Sequence, residues 1–170
     1  MKKIIKRAVV LALLTTLLVP VTVFAEETDT VVVSGDVDAI LTLTVPGPIA
    51  LGSLVVGSTK ESTNESITVA TNDPAGLTLE VRDNIQETTI GKMISGANVL
   101  TNPLKVKGGD ITPYTALPTV AGSYVTIKTT ASAEEVTIAD FSVQQEVLWN
   151  DPVDSAYSIT LYFIAANNVE

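Results

Sequence analysis

The stretch Thr71-Asn72-Asp73-Pro74-Ala75-Gly76-Leu77-Thr78-Leu79-Glu80-Val81 contains a turn that leads directly into an alternating strand. Pro74 fixes its own φ at about −65° and Gly76 tolerates positive φ, so Asn-Asp-Pro-Ala-Gly predicts a turn. From Leu77 onwards apolar and polar residues alternate, which places every second side chain on one face of a half-buried strand. Residues 66–70 alternate in the same way before the turn. We therefore expect residues 66–70 and 77–81 to pair as a hairpin.

The same alternation predicts further strands along the chain. Residues 136–149 change the parity of their apolar positions near Ala139 and Asp140, which predicts one long strand with a β-bulge. Residues 157–163 alternate strongly and predict the final strand. Proline and glycine are dense in residues 108–122, which predicts an irregular connection.

The overall pattern predicts an all-β fold. About eight to ten short strands rich in Val, Thr and Ile are separated by turn residues, and no amphipathic helix of useful length interrupts them. A parallel sheet would need crossover helices, so the strands are expected to be antiparallel. We predict a two-sheet sandwich, Ig-like or jelly-roll-like, with a closed barrel as the alternative.

The first 25 residues are typical of a cleaved secretory signal peptide. Four Lys and Arg residues precede the apolar run 8–24, and Ala25 ends a small-residue cleavage pattern. A retained membrane anchor is the less favoured alternative, because the run is short for a bilayer and contains Pro20. The predicted organisation is a signal peptide at residues 1–25 and a single β-sandwich domain at residues 26–170. The mature protein is therefore expected outside the cell, associated with its surface.

Charge and composition exclude several classes of partner and site. Loss of the four positive charges of the leader changes the net charge from −9 to −13. Such a polyanion is repelled by nucleic acid and by anionic lipid, so neither nucleic acid nor, after cleavage, a membrane is an expected partner. The sequence contains no His and no Cys, which excludes a Ser-His-Asp triad, a thiol nucleophile and an ordinary zinc site.

Carboxylates are the remaining candidates for chemistry. Three neighbouring pairs could act on a glycosidic bond: Asp36/Asp38, Glu134/Glu135 and Asp151/Asp154. Because 19 acidic residues produce such neighbours by chance, we expect a protein that is not an enzyme and needs no cofactor. Ca²⁺ is a weaker alternative, with Asp36, Asp38 and Asp151 as candidate ligands at strand ends. Asn64-Glu65-Ser66 is a formal glycosylation sequence.

Two features point to binding or assembly. Trp149 and Tyr157 flank an Asn-Asp-Pro turn, where they could form an aromatic patch for a glycan or wall polymer, or could cap the sandwich core. Val31, Val32 and Val33, near the mature N terminus, could complete the sheet of a neighbouring molecule by strand donation. They could equally pair within their own sheet.

Between Leu41 and Ala165 the chain resembles the WxL-type surface domains of Gram-positive bacteria. Val45-Pro46 and Ile49-Ala50-Leu51-Gly52 are similar to the opening of that domain, and Gly76-Leu77-Thr78-Leu79 is similar to its first motif, with Leu77 in the tryptophan position. Residues 157–163 are similar to the second motif, with Tyr162 in the tryptophan position. The resemblance implies a secreted β-domain that associates with the cell wall through these motifs, and both motif tryptophans are absent.

These observations together predict a secreted, non-enzymatic surface protein that has an adhesive or structural role and is held non-covalently at the cell envelope. Its expected partners are a cell-wall polymer or other surface proteins. One alternative is a pilus-like filament subunit that self-assembles by donating its N-terminal strand. A carboxylate-based glycan hydrolase is the second alternative.

Overall fold

The computed structural model describes residues 33–84 and 88–169, which form eleven β-strands and no helix. All the strands lie in one compact unit within residues 37–170, and the predicted leader lies outside the described residues. No helix in the described ranges is long and apolar enough to cross a membrane. In chain order the strands are β1 Leu41–Thr44, β2 Ser58–Glu61, β3 Glu65–Thr71, β4 Leu77–Asp83, β5 Ile94–Ser95, β6 Asn98–Val99, β7 Lys105–Gly108, β8 Ile111–Ala116, β9 Val125–Thr129, β10 Glu134–Val147 and β11 Leu161–Asn167.

Two antiparallel sheets form the sandwich. The large sheet has the order β1-β3-β10-β7-β8, with β2 also paired to β10, and the small sheet has the order β11-β4-β9. Strands β5 and β6 form a separate two-stranded hairpin. The predicted all-β antiparallel sandwich is confirmed. The described strands do not close into a barrel, so that alternative is wrong.

Strand β10 is the long strand that the sequence predicts, and its bulge is confirmed. The register against β3 shifts between Ile138 and Phe141, on either side of Ala139 and Asp140. Up to Phe141 β10 pairs with β3, and from Ser142 onwards it pairs with β7 and then also with β2. The extra residues at the bulge change which side chains face the core, which is why the apolar parity switches in the sequence.

The core lies between the two sheets and follows the predicted alternation. In β4 Leu77, Leu79 and Val81 are fully buried, while the residues between them are half-buried on the outer face. Phe141 of the large sheet packs edge-to-face against Phe163 of the small sheet, with ring centroids 5.4 Å apart. Leu77, at the start of β4, is fully buried and belongs to this core.

The predicted hairpin of residues 66–70 and 77–81 is wrong. Strand β3 pairs with β1 and β10 in the large sheet, whereas β4 pairs with β11 and β9 in the small sheet. The turn between them carries the chain from one sheet to the other. Asp73 closes it, because its carboxylate accepts a hydrogen bond from Ala75 N at 2.9 Å and its carbonyl accepts one from Gly76 N at 3.0 Å. Beyond the turn Thr130 binds Leu77 N through its hydroxyl at 2.9 Å, which fixes the start of β4 in the small sheet.

Two other expectations need correction. Residues 108–122 are not simply irregular, because Gly108 and Ile111 pair across a two-residue turn that joins β7 to β8. Pro113 lies in β8, at the edge of the large sheet, where a missing backbone donor is tolerated. The final strand begins at Leu161, four residues later than predicted, although Ser158 forms an isolated bridge with Ile94 before it.

Candidate functional site

Strand β11 is an edge strand of the small sheet with one unpaired side. Asn84 N donates to Thr160 O at 2.8 Å and Asn168 N donates to Gly76 O at 3.0 Å, so the even-numbered residues of β11 direct their backbone groups toward β4. In an antiparallel ladder the alternate residues then direct their N–H and C=O groups the other way. Leu161 and Phe163 are two of these, and no described residue pairs with their backbone groups.

The unpaired edge continues one step before β11. Ser158 exchanges two 2.9 Å hydrogen bonds with Ile94, which leaves the backbone groups of Ile159 on the same open side as those of Leu161. Over residues 159–163 the chain therefore presents a strand edge with unused donors and acceptors. The side chains of Ile159, Leu161 and Phe163 pack against the core but are only half-buried.

The facing wall is the segment of residues 46–54, between β1 and β2. Pro46 and Pro48 cannot donate to a ladder, and among the described residues the backbone of this segment makes no hydrogen bond. Its apolar side chains Ile49, Leu51 and Leu54 nevertheless pack against the core. The segment therefore covers part of the core without joining either sheet.

A groove of about 710 Å³ lies between these two walls. Its length along residues 157–163 is about 20 Å, from a rise of roughly 3.3 Å per residue. The floor is formed by apolar side chains of both sheets and the connecting loops: Met93, Leu104, Val143 and Phe163. An unpaired strand edge beside an apolar floor can bind an extended chain, since the backbone supplies hydrogen bonds and the floor accepts alternate side chains.

The two ends of the groove differ. Beyond the Phe163 end, Thr71, which pairs with Leu41 at the start of β1, donates a 2.8 Å hydrogen bond to Asn167 at the end of β11. At the other end Tyr157 lines the groove, and its hydroxyl donates to Pro152 O at 2.7 Å. Burial, followed by the charges of Asp154 and Asp151, raises the pKa of Tyr157.

The predicted aromatic pair divides between two surfaces. Tyr157 belongs to the groove, whereas Trp149 is 86% exposed at the tip of the loop after β10 and lies over Gly57. Gly57 allows this approach because a Cβ there would lie 2.9 Å from the indole nitrogen. Trp149 therefore does not cap the core, and that alternative is wrong for this residue.

The N-terminal segment before β1 carries exposed apolar side chains. Val33 is 91% exposed and Val37 is 87% exposed, and residues 33–40 form no strand. Apolar residues and Gly35 occupy every odd position from 31 to 45, so the strand pattern of β1 extends back through this segment. Val31 and Val32 of the predicted donor lie outside the described residues. This segment thus combines the sequence pattern of a strand with two apolar side chains, Val33 and Val37, that are exposed to solvent.

The acidic candidates do not gather into a site. Asp36 and Asp38 are exposed, as are Glu134 and Glu135 at the start of β10. Asn98 donates a 3.0 Å hydrogen bond to Asp154, and this bond is the main cause of the lowered pKa of that exposed carboxyl. Within the described ranges no three acidic side chains come together as metal ligands. The sequon residue Asn64 lies exposed between β2 and β3.

Asp151 is a buried structural carboxylate. One oxygen accepts hydrogen bonds from Thr101 N at 2.8 Å and from the Thr101 hydroxyl at 2.6 Å, and the other accepts from Leu148 N at 2.8 Å. Burial raises its pKa, but these hydrogen bonds and the charge of Lys92 together bring the pKa below the ordinary value. Both oxygens already bind protein donors, so Asp151 stabilises the loop and is poorly placed to bind Ca²⁺.

No protein-family model matches the sequence, and no curated protein matches it. Among solved structures, a chain from the structure of a chaperone-usher pilus, studied for the uncoiling of its rod, aligns with 85% of this chain and 98% of its own length. The two are 14% identical and the TM-score is 0.47. The function of this chain has to be derived from its own geometry.

The groove is the feature that sequence reasoning missed. Two signals for it are present: the Pro-Gly-Pro break after β1, which is followed by nine residues outside any strand (49–57), and the absence of charged residues and proline from β11. Edge strands of soluble proteins usually carry such protective residues. An edge strand without such residues can pair with another chain.

Proposed function

We propose that this protein is a secreted, non-enzymatic structural subunit that assembles at the cell surface by accepting an extended segment of another copy in its groove. The observation that supports this proposal is the unpaired edge of residues 159–163 beside an apolar floor. Pairing with a second chain would satisfy the free backbone groups and bury the half-exposed apolar side chains together.

The occupant of the groove in this proposal is the segment that begins at Val31 and ends at Val37, since hydrogen bonds to Asn72 tie the chain to its own domain from Asp38 onwards. Its odd-numbered side chains include Val33 and Val37, which are exposed in the described part of the chain. Polar residues Ser34 and Asp36 occupy even positions, so they would face solvent when the odd positions fill the groove. Each copy would then carry one donor segment and one acceptor groove, a head-to-tail arrangement that forms open filaments.

The test is a pair of variants with the same chemistry on opposite faces of the donor segment. Val33→Asp combined with Val37→Asp should abolish polymers of the mature chain, as seen by size-exclusion chromatography and electron microscopy, and should leave a folded monomer. Ser34→Asp adds a carboxylate to the other face and should leave polymers intact. Polymers that persist in the double variant would reject the proposal, as would polymers that survive deletion of residues 26–35.

A second candidate is non-covalent attachment of single molecules to a cell-wall polymer. The exposure of Trp149 favours it, because an indole face can stack on a sugar ring. The resemblance to WxL-type domains would imply the same kind of partner. Fractionation tests this candidate: protein found wholly in the medium, and failing to bind purified walls, would exclude it.

A further inference from the structure

We infer that the loop tip carrying Trp149 is the surface on which the folded domain of the donating copy rests in the assembled filament. This inference builds on the proposed function, since it names the contact that must accompany insertion of the donor segment. Trp149 is 86% exposed. Two valines are also exposed: Val55, in the loop before β2, at 59%, and Val153, in the loop after β10, at 92%. The tip is therefore an apolar surface that the isolated molecule leaves uncovered.

The tip lies at one end of the groove. Leu54 lines the groove and is followed by the turn that contains Gly57, on which the Trp149 ring lies. On the other wall, Tyr157 lines the groove and its hydroxyl binds Pro152 O in the loop that follows Trp149. A chain that leaves the groove at this end passes directly beside the tip.

The donor segment has no spacer between its inserted part and its own domain. Ile40 N donates to the Asn72 side chain at 2.7 Å, and the Asn72 amide donates to Asp38 O at 2.7 Å. The chain is therefore tied to the domain from Asp38 onwards, one residue after Val37. A domain attached so closely must contact the acceptor at whichever end of the groove the segment leaves.

The direction of insertion decides which end that is. Residues 41–54 run antiparallel to residues 157–167, because Leu41 lies beside Thr71 and Asn167 while Leu54 lies at the Tyr157 end. A donor antiparallel to β11 enters at the Phe163 end and leaves at the Tyr157 end, next to Trp149. Antiparallel pairing is the more stable kind.

Parallel insertion would create a conflict at the opposite end. The donor domain would then lie where the acceptor's own residues 38–40 lead into β1 and hydrogen-bond with the Asn72 side chain. Two domains and a departing chain would compete for that space. Antiparallel insertion avoids this and stacks the Trp149 end of one copy against the Leu41 end of the next.

Trp149 is the sole tryptophan of the sequence, so its fluorescence reports on this surface alone. In polymers of the mature chain we expect blue-shifted emission and several-fold weaker quenching by acrylamide than in the Val33→Asp/Val37→Asp monomer. Trp149→Ala should shift the assembly equilibrium toward shorter polymers, whereas Val120→Ala, at an exposed valine of the loop between β8 and β9, should not. Polymers in which Trp149 is quenched as strongly as in the monomer would overturn the inference and leave the proposed function standing.

Two other outcomes would also reject the contact. If the wild-type mature chain forms no polymers under any condition, the proposed function and this contact fail together. In the other outcome, purified cell-wall glycan protects Trp149 of the monomer from acrylamide quenching, whereas assembly of the protein into filaments does not. The tip then binds a glycan and not a second copy.

Discussion

The hydroxyl of Thr71 donates a 2.8 Å hydrogen bond to the side-chain oxygen of Asn167, and this bond joins the last residue of β3 in the large sheet to the last residue of β11 in the small sheet. The same hydroxyl accepts a 3.0 Å hydrogen bond from Asp73 N in the turn that follows β3. One side chain therefore fixes the sheet-to-sheet turn and links the end of β3 to the end of β11.

Thr71→Val should lower the free energy of unfolding by about 1–3 kcal/mol, because it keeps the shape of the side chain and removes two hydrogen bonds. Thr137→Val is the matched control, since its hydroxyl makes a 3.3 Å contact with Thr68 on an exposed face. We expect the control to change stability by less than about 0.5 kcal/mol. Urea denaturation measures both values, and equal losses would show that the Thr71 bonds contribute nothing specific.

Leu79→Asp should unfold the domain. Leu79 is fully buried in β4, where burial of its side chain contributes about 1.5–3 kcal/mol and an unpaired carboxylate adds a larger cost. Ala166→Asp introduces the same charge on an exposed residue of β11 and should keep the fold. Circular dichroism and thermal melting compare the two, and unchanged melting of Leu79→Asp would contradict the strand assignment.

Gly76→Ala should destabilise the protein more than Gly96→Ala. Both glycines have positive φ, 80° and 59°, so each alanine costs about 1–2 kcal/mol in the backbone. A Cβ at Gly76 would also collide with the carbonyl of Thr130, whereas a Cβ at Gly96 meets no atom within 4 Å. The collision should add about 1–3 kcal/mol to the destabilisation by Gly76→Ala. Its melting temperature should therefore fall further than that of Gly96→Ala. Equal losses would mean that the β4–β9 contact relaxes without cost.

The sequence predicts strand faces well because alternation directly reflects burial. In β4 the predicted inward residues are the buried ones, and in β10 the change of parity correctly locates the bulge between Ile138 and Phe141. Alternation does not encode the pairing partner. The turn after Thr71 has the local chemistry of a hairpin, but the Thr130 hydroxyl and the pairing with β9 and β11 decide that β4 joins the small sheet.

The groove could not be predicted in the same way, because it is defined by missing hydrogen bonds between segments distant in sequence. In the sequence, both residues 46–54 and residues 159–163 are short apolar stretches of the kind that packs against a core. Only the register of β11 against β4 shows that Leu161 and Phe163 direct their backbone groups outward. The strand-like pattern of the N-terminal segment is visible in the sequence, whereas the groove is not.

Asp151→Asn should destabilise the protein near neutral pH and have less effect in acid. The carboxylate accepts three hydrogen bonds, and an amide would direct donors against Leu148 N or Thr101, at a cost of about 1.5–3 kcal/mol. Because its folded pKa is lowered, the carboxylate stabilises the fold above the unfolded pKa of about 3.9, and that contribution is lost as the pH falls through the folded pKa.

Melting curves from pH 7 down to pH 2 therefore provide the measurement. The melting temperature of the wild type should exceed that of Asp151→Asn near neutral pH, and this difference should shrink below about pH 4. Asp36→Asn, at an exposed carboxylate, should follow the wild-type curve throughout. A difference between wild type and Asp151→Asn that stays constant with pH would show that the carboxylate charge is not what stabilises the loop.

The unpaired edge itself can be tested by proline substitutions at two adjacent positions. Ile159→Pro removes an N–H that faces the groove, so it should prevent assembly and cost the monomer little beyond part of one apolar side chain. Ser158→Pro removes the N–H that binds Ile94 O at 2.9 Å, so it should instead destabilise the monomer. Light scattering and melting temperature, measured on both variants, separate the two effects. If Ile159→Pro forms normal polymers, the backbone of this edge does not pair with a donor, and the groove would have to bind its partner through side chains alone.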